Sequence, residues 1–336
     1  MFSSWIQSFV FSCALIAAVL PVGAQVRVLL DTDIGSDCDD AGAVAILHAM
    51  ADRHEAQILG MGVCTLNRWA APALDAINTY YHRPEIAIGS IQGDLPGPTK
   101  ESVYTEYLAR TFPNRLRDGL RAPEVVSLYR HILSAQPDHS VVFVAIGWLR
   151  NLQNLLESKP DSVSLSSGRD LVAAKVKILV DMGPKIDPPG IGWNFEQDPE
   201  SARYVVRNWP TPVVFSPKEV CWAMTGSRLK ETPESNPVRN AYELWLAKSG
   251  HGRNTNHSAD LTAALFAVRG LGNYWTVGAD GSLEIESNGF SRWIRFSTAQ
   301  PDKLFSHQSY LIKKMEFDEL ARQLDELLIQ PPVGEK

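Results

Sequence analysis

Five aspartates fall within ten residues near the start of the chain: Asp31, Asp33, Asp37, Asp39 and Asp40, with Gly35 among them. Two unit charges at contact repel by roughly 1 kcal/mol in water and several-fold more in a drier cleft. Crowding of this kind therefore calls for a cation or for raised pKa values. One or two aspartates would pass as turn formers and a helix cap. Five exceed that need, and a hard divalent ion with oxygen ligands is the simplest remedy. A metal-assisted site at this turn is therefore the working hypothesis.

The elements around the cluster are those that would bring it together. Residues 26–30 form an apolar run of strand formers that ends at Asp31, and alanine-rich helical spacing begins near Asp40. In open α/β sheets ligands bind at the carboxyl ends of strands, where this turn would lie. Further along, helical spacing covers 40–52, a second strand covers 57–64, and Asn67 follows it. A helix at about 72–81, a short strand at 85–88 and a Gly/Pro-rich loop at 89–98 continue a βαβαβ rhythm, which implies parallel strands with right-handed crossovers. Helical patterns at 101–111 and 123–135 lead to a strand at 140–146, ending in Gly147-Trp148-Leu149, and to a helix at 151–156. A strand at 175–180 opens into a turn-rich loop, 181–197, whose length marks it as functional. Asp198-Pro199-Glu200 reads as a helix start with its cap. A strand at 211–215, a helix at 240–247, a polar loop at 248–258 and the apolar helix 261–268 behind Asp260 follow. Short antiparallel strands over 275–297 and a closing helix over 317–329 complete an α/β architecture: a mostly parallel sheet flanked by helices, with a small antiparallel addition near the C-terminus.

At 336 residues, 45% hydrophobic and 21% charged, the chain is long enough for one large domain, assigned to residues 25–336. The net charge is −6 and there is no run of Lys or Arg, which excludes a nucleic-acid partner. Residues 9–20 are almost wholly apolar, too short to span a bilayer, and followed by Val22-Gly23-Ala24. This reads as a signal peptide, residues 1–24, so the chain is expected to be secreted or periplasmic, with no membrane attachment after cleavage. The three cysteines beyond the leader, Cys38, Cys64 and Cys221, have no metal-binding spacing; they are expected as buried thiols, with a Cys38–Cys64 bridge left open.

The motif Asp31-Thr32-Asp33, Gly35 and Asp39-Asp40-Ala41 resembles the opening of the nucleoside hydrolase family, the inosine-uridine-preferring type. Asn67, the 146–151 turn, Asn194 ahead of Asp198-Pro199-Glu200, and Asp260 at the head of a late helix occur in the same order as the family's landmarks. The resemblance covers about residues 26–270. It implies a nucleoside-hydrolase-like fold and hydrolysis of the N-glycosidic bond of ribonucleosides, or a related N-ribosyl compound, to ribose and free base. It implies one Ca²⁺ held by Asp33, Asp40, the main-chain carbonyl of Ile146 and Asp260, with Asp33 also serving as general base toward a calcium-bound water. Asp39, Asn67 and Asn194 would clamp ribose hydroxyls. Homo-oligomers occur in the family.

The chemistry suits these residues, since an oxocarbenium-like sugar needs an activated water on one face and help for the departing base on the other. The chain also departs from the pattern. Its acidic turn is two residues longer, so Asp37 or Asp39 takes the ribose position. Gly192 stands where relatives often carry Glu, and Trp193 where they often carry Phe, offering a stacking surface for the base along with Trp222. Ala259 replaces the histidine that purine-preferring members use on the leaving group, and His257 or His251 would have to substitute. Two other readings remain at this point. One is a haloacid-dehalogenase-like Mg²⁺-dependent phosphatase, with Asp31 and Asp33 as nucleophile and acid/base. The other is a metal-dependent ribosyl-binding protein without turnover.

Overall fold

A computed structural model describes residues 24–93, 102–249, 252–296 and 307–334. The leader, apart from Ala24, lies outside the described residues, as do His251 and part of the 89–98 loop. The chain runs β1 (Val26–Thr32), α1 (Asp39–Asp52), β2 (Ala56–Val63), α2 (Ala70–Tyr80), β3 (Ile88–Ser90), α3 (Thr105–Thr111), α4 (Val125–Ser134), β4 (Val141–Ala145), α5 (Arg150–Glu157), α6 (Gly168–Lys175) and β5 (Val176–Asp181). It continues through β6 (Lys185–Ile186), β7 (Pro189–Ile191), α7 (Trp193–Gln197), α8 (Pro199–Asn208), β8 (Val213–Phe215), α9 (Pro237–Ser249), α10 (Ala259–Arg269), β9 (Trp275–Val277), β10 (Gly281–Ile285), β11 (Phe290–Arg295), β12 (Gln308–Lys313) and α11 (Phe317–Leu328).

Eight strands form the main sheet in the order β3-β2-β1-β4-β5-β8-β12-β9. All its pairings are parallel except β12 with the edge strand β9. A parallel sheet is covered on both faces, and β1 shows why its strands read as unbroken apolar runs. Val28 and Leu30 face a core shared with α1, α10 and α11, whereas Leu29 faces a second core shared with α4, α5 and α8. The chain leaves β1 toward β2 on one side and returns to β4 on the other, so the end of β1 sits where the strand order reverses. A ligand crevice is expected there.

The mostly parallel sheet with an antiparallel addition is as expected, but the addition is assembled differently. Within 275–297 only β10 and β11 pair with each other, while β9 joins the main sheet. The long 181–197 loop supplies β6 and β7, which extend the β10–β11 hairpin into a four-stranded antiparallel sheet, together with the short helix α7. The helix expected at 101–111 begins only at Thr105, and the strand expected at 85–88 is shifted to Ile88–Ser90. β12, unforeseen in the sequence, is rich in polar residues yet is held between β8 and β9.

Candidate functional site

Asp33 follows the last residue of β1 and is 3% exposed. Its neighbour Thr32 donates a hydrogen bond to Asp40 Oδ1, tying the strand tip to the first turn of α1. Ser36 Oγ approaches the other Asp40 oxygen at 3.4 Å. Asp39 Oδ2 accepts the backbone N–H of Asp260 at 3.2 Å, which brings the start of α10 against the start of α1. Oxygens of Asp39, Asp40 and Asp260 lie within 4.8 Å of one another. The Ile146 carbonyl, just past β4, accepts from Asn194 Nδ2 at 3.0 Å, and the same amide reaches the Met182 carbonyl at 2.8 Å. A carbonyl has a second lone pair, so this bond does not exclude Ile146 as a ligand.

Asp33, Asp37, Asp39, Ile146, Trp193, Asn194, His257 and Asp260 thus line one cavity of about 570 Å³. Asp40 is fully buried beneath it. Burial pushes the Asp33 carboxyl up to about 7, and it pushes Asp39, Asp40 and Asp260 well above the ordinary carboxylate range, with neighbouring carboxylates adding to each shift. Asp33 Oδ2 is buried with no hydrogen-bond partner. Three acids with oxygens this close, beside the orphaned Asp33 oxygen, fit a hard divalent cation.

The acidic turn places Asp37 at the cavity wall. Its Oδ1 accepts from the Asp39 N–H at 2.8 Å and from Asn256 Nδ2 at 3.3 Å, and the Tyr104 hydroxyl holds its carbonyl at 2.7 Å. His257 Nε2 stands 3.5 Å from Asp37 Oδ2 and 4.0 Å from Asp39 Oδ2. Asn67 is placed differently. Its Nδ2 donates to Thr105 Oγ1 at 3.1 Å and its Oδ1 accepts from the Trp69 N–H at 2.9 Å. It supports Gly35 from behind, where an added Cβ would meet Asn67 Nδ2 at 3.0 Å, rather than lining the cavity.

Asp31 points away from the cavity, as its position further back on β1 suggests. It is fully buried, accepts from the Tyr129 hydroxyl and from Asn151 Nδ2 at 2.7 Å, and is pushed up to about 7 by burial. Two glycines set how closely the walls approach. A Cβ on Gly147 would lie 2.6 Å from both the Asp33 amide nitrogen and Cys64 Sγ. A Cβ on Gly192 would overlap the Gly183 carbonyl oxygen, so this position admits no side chain without a shift of the backbone. Cys38, Cys64 and Cys221 are buried free thiols.

Sequence reading missed Val103, Met182, Lys218, Trp245 and Arg253, all of which line the cavity. Lys218 lies three residues beyond β8 and was within reach of the rule that loops at strand carboxyl ends carry the site. Val103 and Trp245 come from remote segments with no local signal.

The model of the inosine-uridine preferring nucleoside hydrolase family matches residues 28–293. No curated protein sequence matches the chain. Among solved structures the chain is similar to a plant nucleoside hydrolase (17% identity, 91% of this chain and 99% of that one, TM-score 0.65). It is also similar to the purine-preferring ribonucleoside hydrolase from Gardnerella vaginalis (14% identity, 90% and 96%, TM-score 0.65). The inosine-uridine preferring nucleoside hydrolase from Bacillus anthracis shows the same likeness (14% identity, 90% and 99%, TM-score 0.64). At these identities the structures establish the fold, and the family match does not favour the phosphatase reading.

Proposed function

The chain belongs to the inosine-uridine preferring nucleoside hydrolase family, whose members are hydrolases of N-glycosyl compounds, and on that footing we propose that it cleaves ribonucleosides, or a related N-ribosyl compound, to ribose and free base with one Ca²⁺ in the cavity floor. The observation that carries this reading is the convergence of Asp33, Asp39, Asp40, Asp260 and the Ile146 carbonyl on the base of a single cleft, with a buried Asp33 oxygen left unsatisfied.

Asp33, Asp40, Asp260 and the Ile146 carbonyl would hold the ion, an all-oxygen set that suits calcium. When bound, the cation lowers the pKa of a water and fixes the ribose diol. Asp33, already pushed up to about 7 by burial, accepts the proton of the attacking water as the general base. Asp39 faces the ribose hydroxyls. Asp37, committed to Asn256 and the Asp39 amide, holds the lengthened turn and faces His257. Asn194 spends its amide hydrogens on Ile146 and Met182, which leaves its oxygen to accept from the sugar. Asn67 positions the Gly35 turn. Trp193, 43% exposed on the cavity wall, offers its face to the base. His257, the imidazole nearest the site among the described residues, donates a proton to the departing base nitrogen in place of the histidine absent at Ala259.

The test is to incubate the purified protein with a panel of nucleosides and with p-nitrophenyl phosphate, in calcium or EGTA. Calcium-dependent release of free ribose, lowered about 10²–10⁴-fold in Asp33→Asn, is the expected result. Phosphate release, or calcium-dependent nucleoside binding without turnover, would overturn it. We also propose export with removal of residues 1–24. The mass of the mature chain from an exporting host should then correspond to a start at Gln25, and a retained leader would refute this.

A further inference from the structure

His257 is held in place from several sides. The segment that carries Trp222 and the segment that carries His257 are joined as a short antiparallel ribbon. Thr225 and Asn256 exchange backbone hydrogen bonds of 2.8 and 2.9 Å, and the Ser258 N–H donates to the Cys221 carbonyl at 2.9 Å. The buried Ser258 hydroxyl donates to the Ala223 carbonyl at 2.6 Å and meets Thr225 Oγ1 at 2.8 Å, which locks the ribbon from within. The Trp222 ring stands against the imidazole, with centroids 6.4 Å apart and planes at 50°. The side chain of Asn256, the residue before His257, reaches across to Asp37 Oδ1 at 3.3 Å. That oxygen also takes the Asp39 N–H at 2.8 Å, and the buried Tyr104 hydroxyl holds the Asp37 carbonyl at 2.7 Å. With Oδ1 committed in this way, Asp37 Oδ2 is turned toward His257 Nε2 at 3.5 Å. Asp39 Oδ2 stands 4.0 Å from the same nitrogen and is engaged by the Asp260 N–H.

A histidine that protonates a leaving group must offer one ring nitrogen to it, and which nitrogen carries the hydrogen is set by the bond that the other one makes. A carboxylate only accepts, so Asp37 requires a hydrogen on Nε2 and leaves Nδ1 to deliver the proton. At 3.5 Å the pair is loose, a spacing that catalytic hydrogen bonds often show before substrate closes the site. We infer that Asp37 is a positioning residue for His257, an acid that fixes the imidazole tautomer and reserves Nδ1 for the departing base. The protons balance without a further reagent. As the C1′–N bond breaks, the hydrogen on Nδ1 passes to the base nitrogen, and Asp37 takes no proton at any point. The ring, left neutral with its hydrogen on Nε2, regains a proton from solvent, to which its side chain is 38% exposed. The acidic turn thus divides its work: Asp33, Asp39 and Asp40 serve the floor of the cavity, and Asp37 serves the imidazole.

This inference rests on the proposed function, and the experiment separates the two. Asp37→Asn keeps the shape of the side chain. Because Oδ1 faces two donors, the Asp39 N–H and Asn256 Nδ2, the amide oxygen must take that place and the amide nitrogen must face His257. The ring then has to accept at Nε2, so its neutral form carries the hydrogen on Nδ1. In a serine-protease triad the same exchange leaves the geometry intact and costs about 10⁴-fold in kcat. Here kcat and KM for inosine and for p-nitrophenyl riboside are measured in wild type and Asp37→Asn, with calcium present. The kcat on inosine should fall at least about tenfold more than that on p-nitrophenyl riboside, with KM held within about threefold. Nitrogen NMR of isotopically labelled histidine, at a pH where imidazole is neutral, reads the tautomer directly. The His257 signal, identified by its loss in His257→Gln, should show the hydrogen on Nε2 in wild type and on Nδ1 in Asp37→Asn, a switch that merely holding the turn would not produce. Equal losses on the two substrates, a loss carried by KM alone, or one tautomer in both proteins overturns the inference while leaving the hydrolase reading intact. Should no substrate be cleaved, the hydrolase reading fails and the tautomer decides alone: a switch supports the hold of Asp37 on the ring, and an unchanged tautomer refutes it.

Discussion

Gly147→Ala is a one-carbon perturbation aimed at the proposed base without touching it. The new Cβ would lie 2.6 Å from the Asp33 amide nitrogen, 2.6 Å from Cys64 Sγ and 3.0 Å from Asp33 Cβ. Unstrained contacts of this kind fall at about 3.5–4.0 Å, so roughly 1 Å must be made up. The nitrogen belongs to the backbone at the tip of a strand paired on both sides, so the retreat displaces Asp33 itself. Overpacking should cost about 1–3 kcal/mol of stability. Misplacing a reacting group by about 1 Å lowers turnover by about 10²-fold, equivalent to about 2.7 kcal/mol in the barrier. Thermal melting reads the first quantity and a reducing-sugar assay for ribose the second. Adding Cys64→Ala relieves the sulfur contact but not the amide contact, so it should recover part of the Tm and little of the rate. A Gly147→Ala protein that melts as wild type and turns over within twofold of it would refute the reasoning.

Three further outcomes are expected. In the cation-free protein burial holds Asp31 and Asp33 at about 7 and Asp181, whose oxygens have no partner, at about 8, all above the value of about 4 for an exposed aspartate. Between those values the unfolded chain has lost protons that the folded chain keeps, so stability should fall as pH rises from about 4 to about 8 in EDTA. A cation requires the ionised carboxylates, so calcium should raise the Tm more at pH 7.5 than at pH 5; equal shifts in differential scanning fluorimetry would contradict this. Arg150 binds the buried Asp198 carboxylate through two bonds of 2.7 Å, and Asp198 also accepts the Ser201 N–H that starts α8. Arg150→Ala should therefore cost about 2 kcal/mol in urea unfolding, and a loss under about 0.5 kcal/mol would show the pair to be idle. His257→Ala should slow natural purine nucleosides far more than p-nitrophenyl riboside, whose leaving group needs no proton. Equal losses on both would remove His257 from leaving-group chemistry.

The acidic floor of the cavity was legible because its aspartates lie at element boundaries that sequence marks strongly. Asp33 ends an apolar strand, Asp39 and Asp40 open an alanine-rich helix, and Asp260 heads another. The parallel rhythm from β1 to β4 put a strand end at Ile146, which only the family resemblance singled out. The walls were less legible, since they depend on how short pieces pack. The 181–197 segment reads as a loop because two- and three-residue strands leave no alternation to detect, yet Lys185 and Ile186 pair with Gly190 and Pro189. Asn67 carried the right order along the chain, but its amide went to Thr105 from a helix whose approach no local pattern encodes. Asp37 takes its place from a turn anchored by Tyr104 and Asn256, both distant in sequence.

Gly192 limits what the cavity wall can carry. The Gly183 carbonyl occupies the space that any side chain at Gly192 would need, so a single substitution there would disrupt the local backbone before it could add a functional group. Placing an acid at that point demands that the 183–192 hairpin be rebuilt first. Whatever ligand the cleft takes must therefore be bound without a side chain from that stretch of the wall.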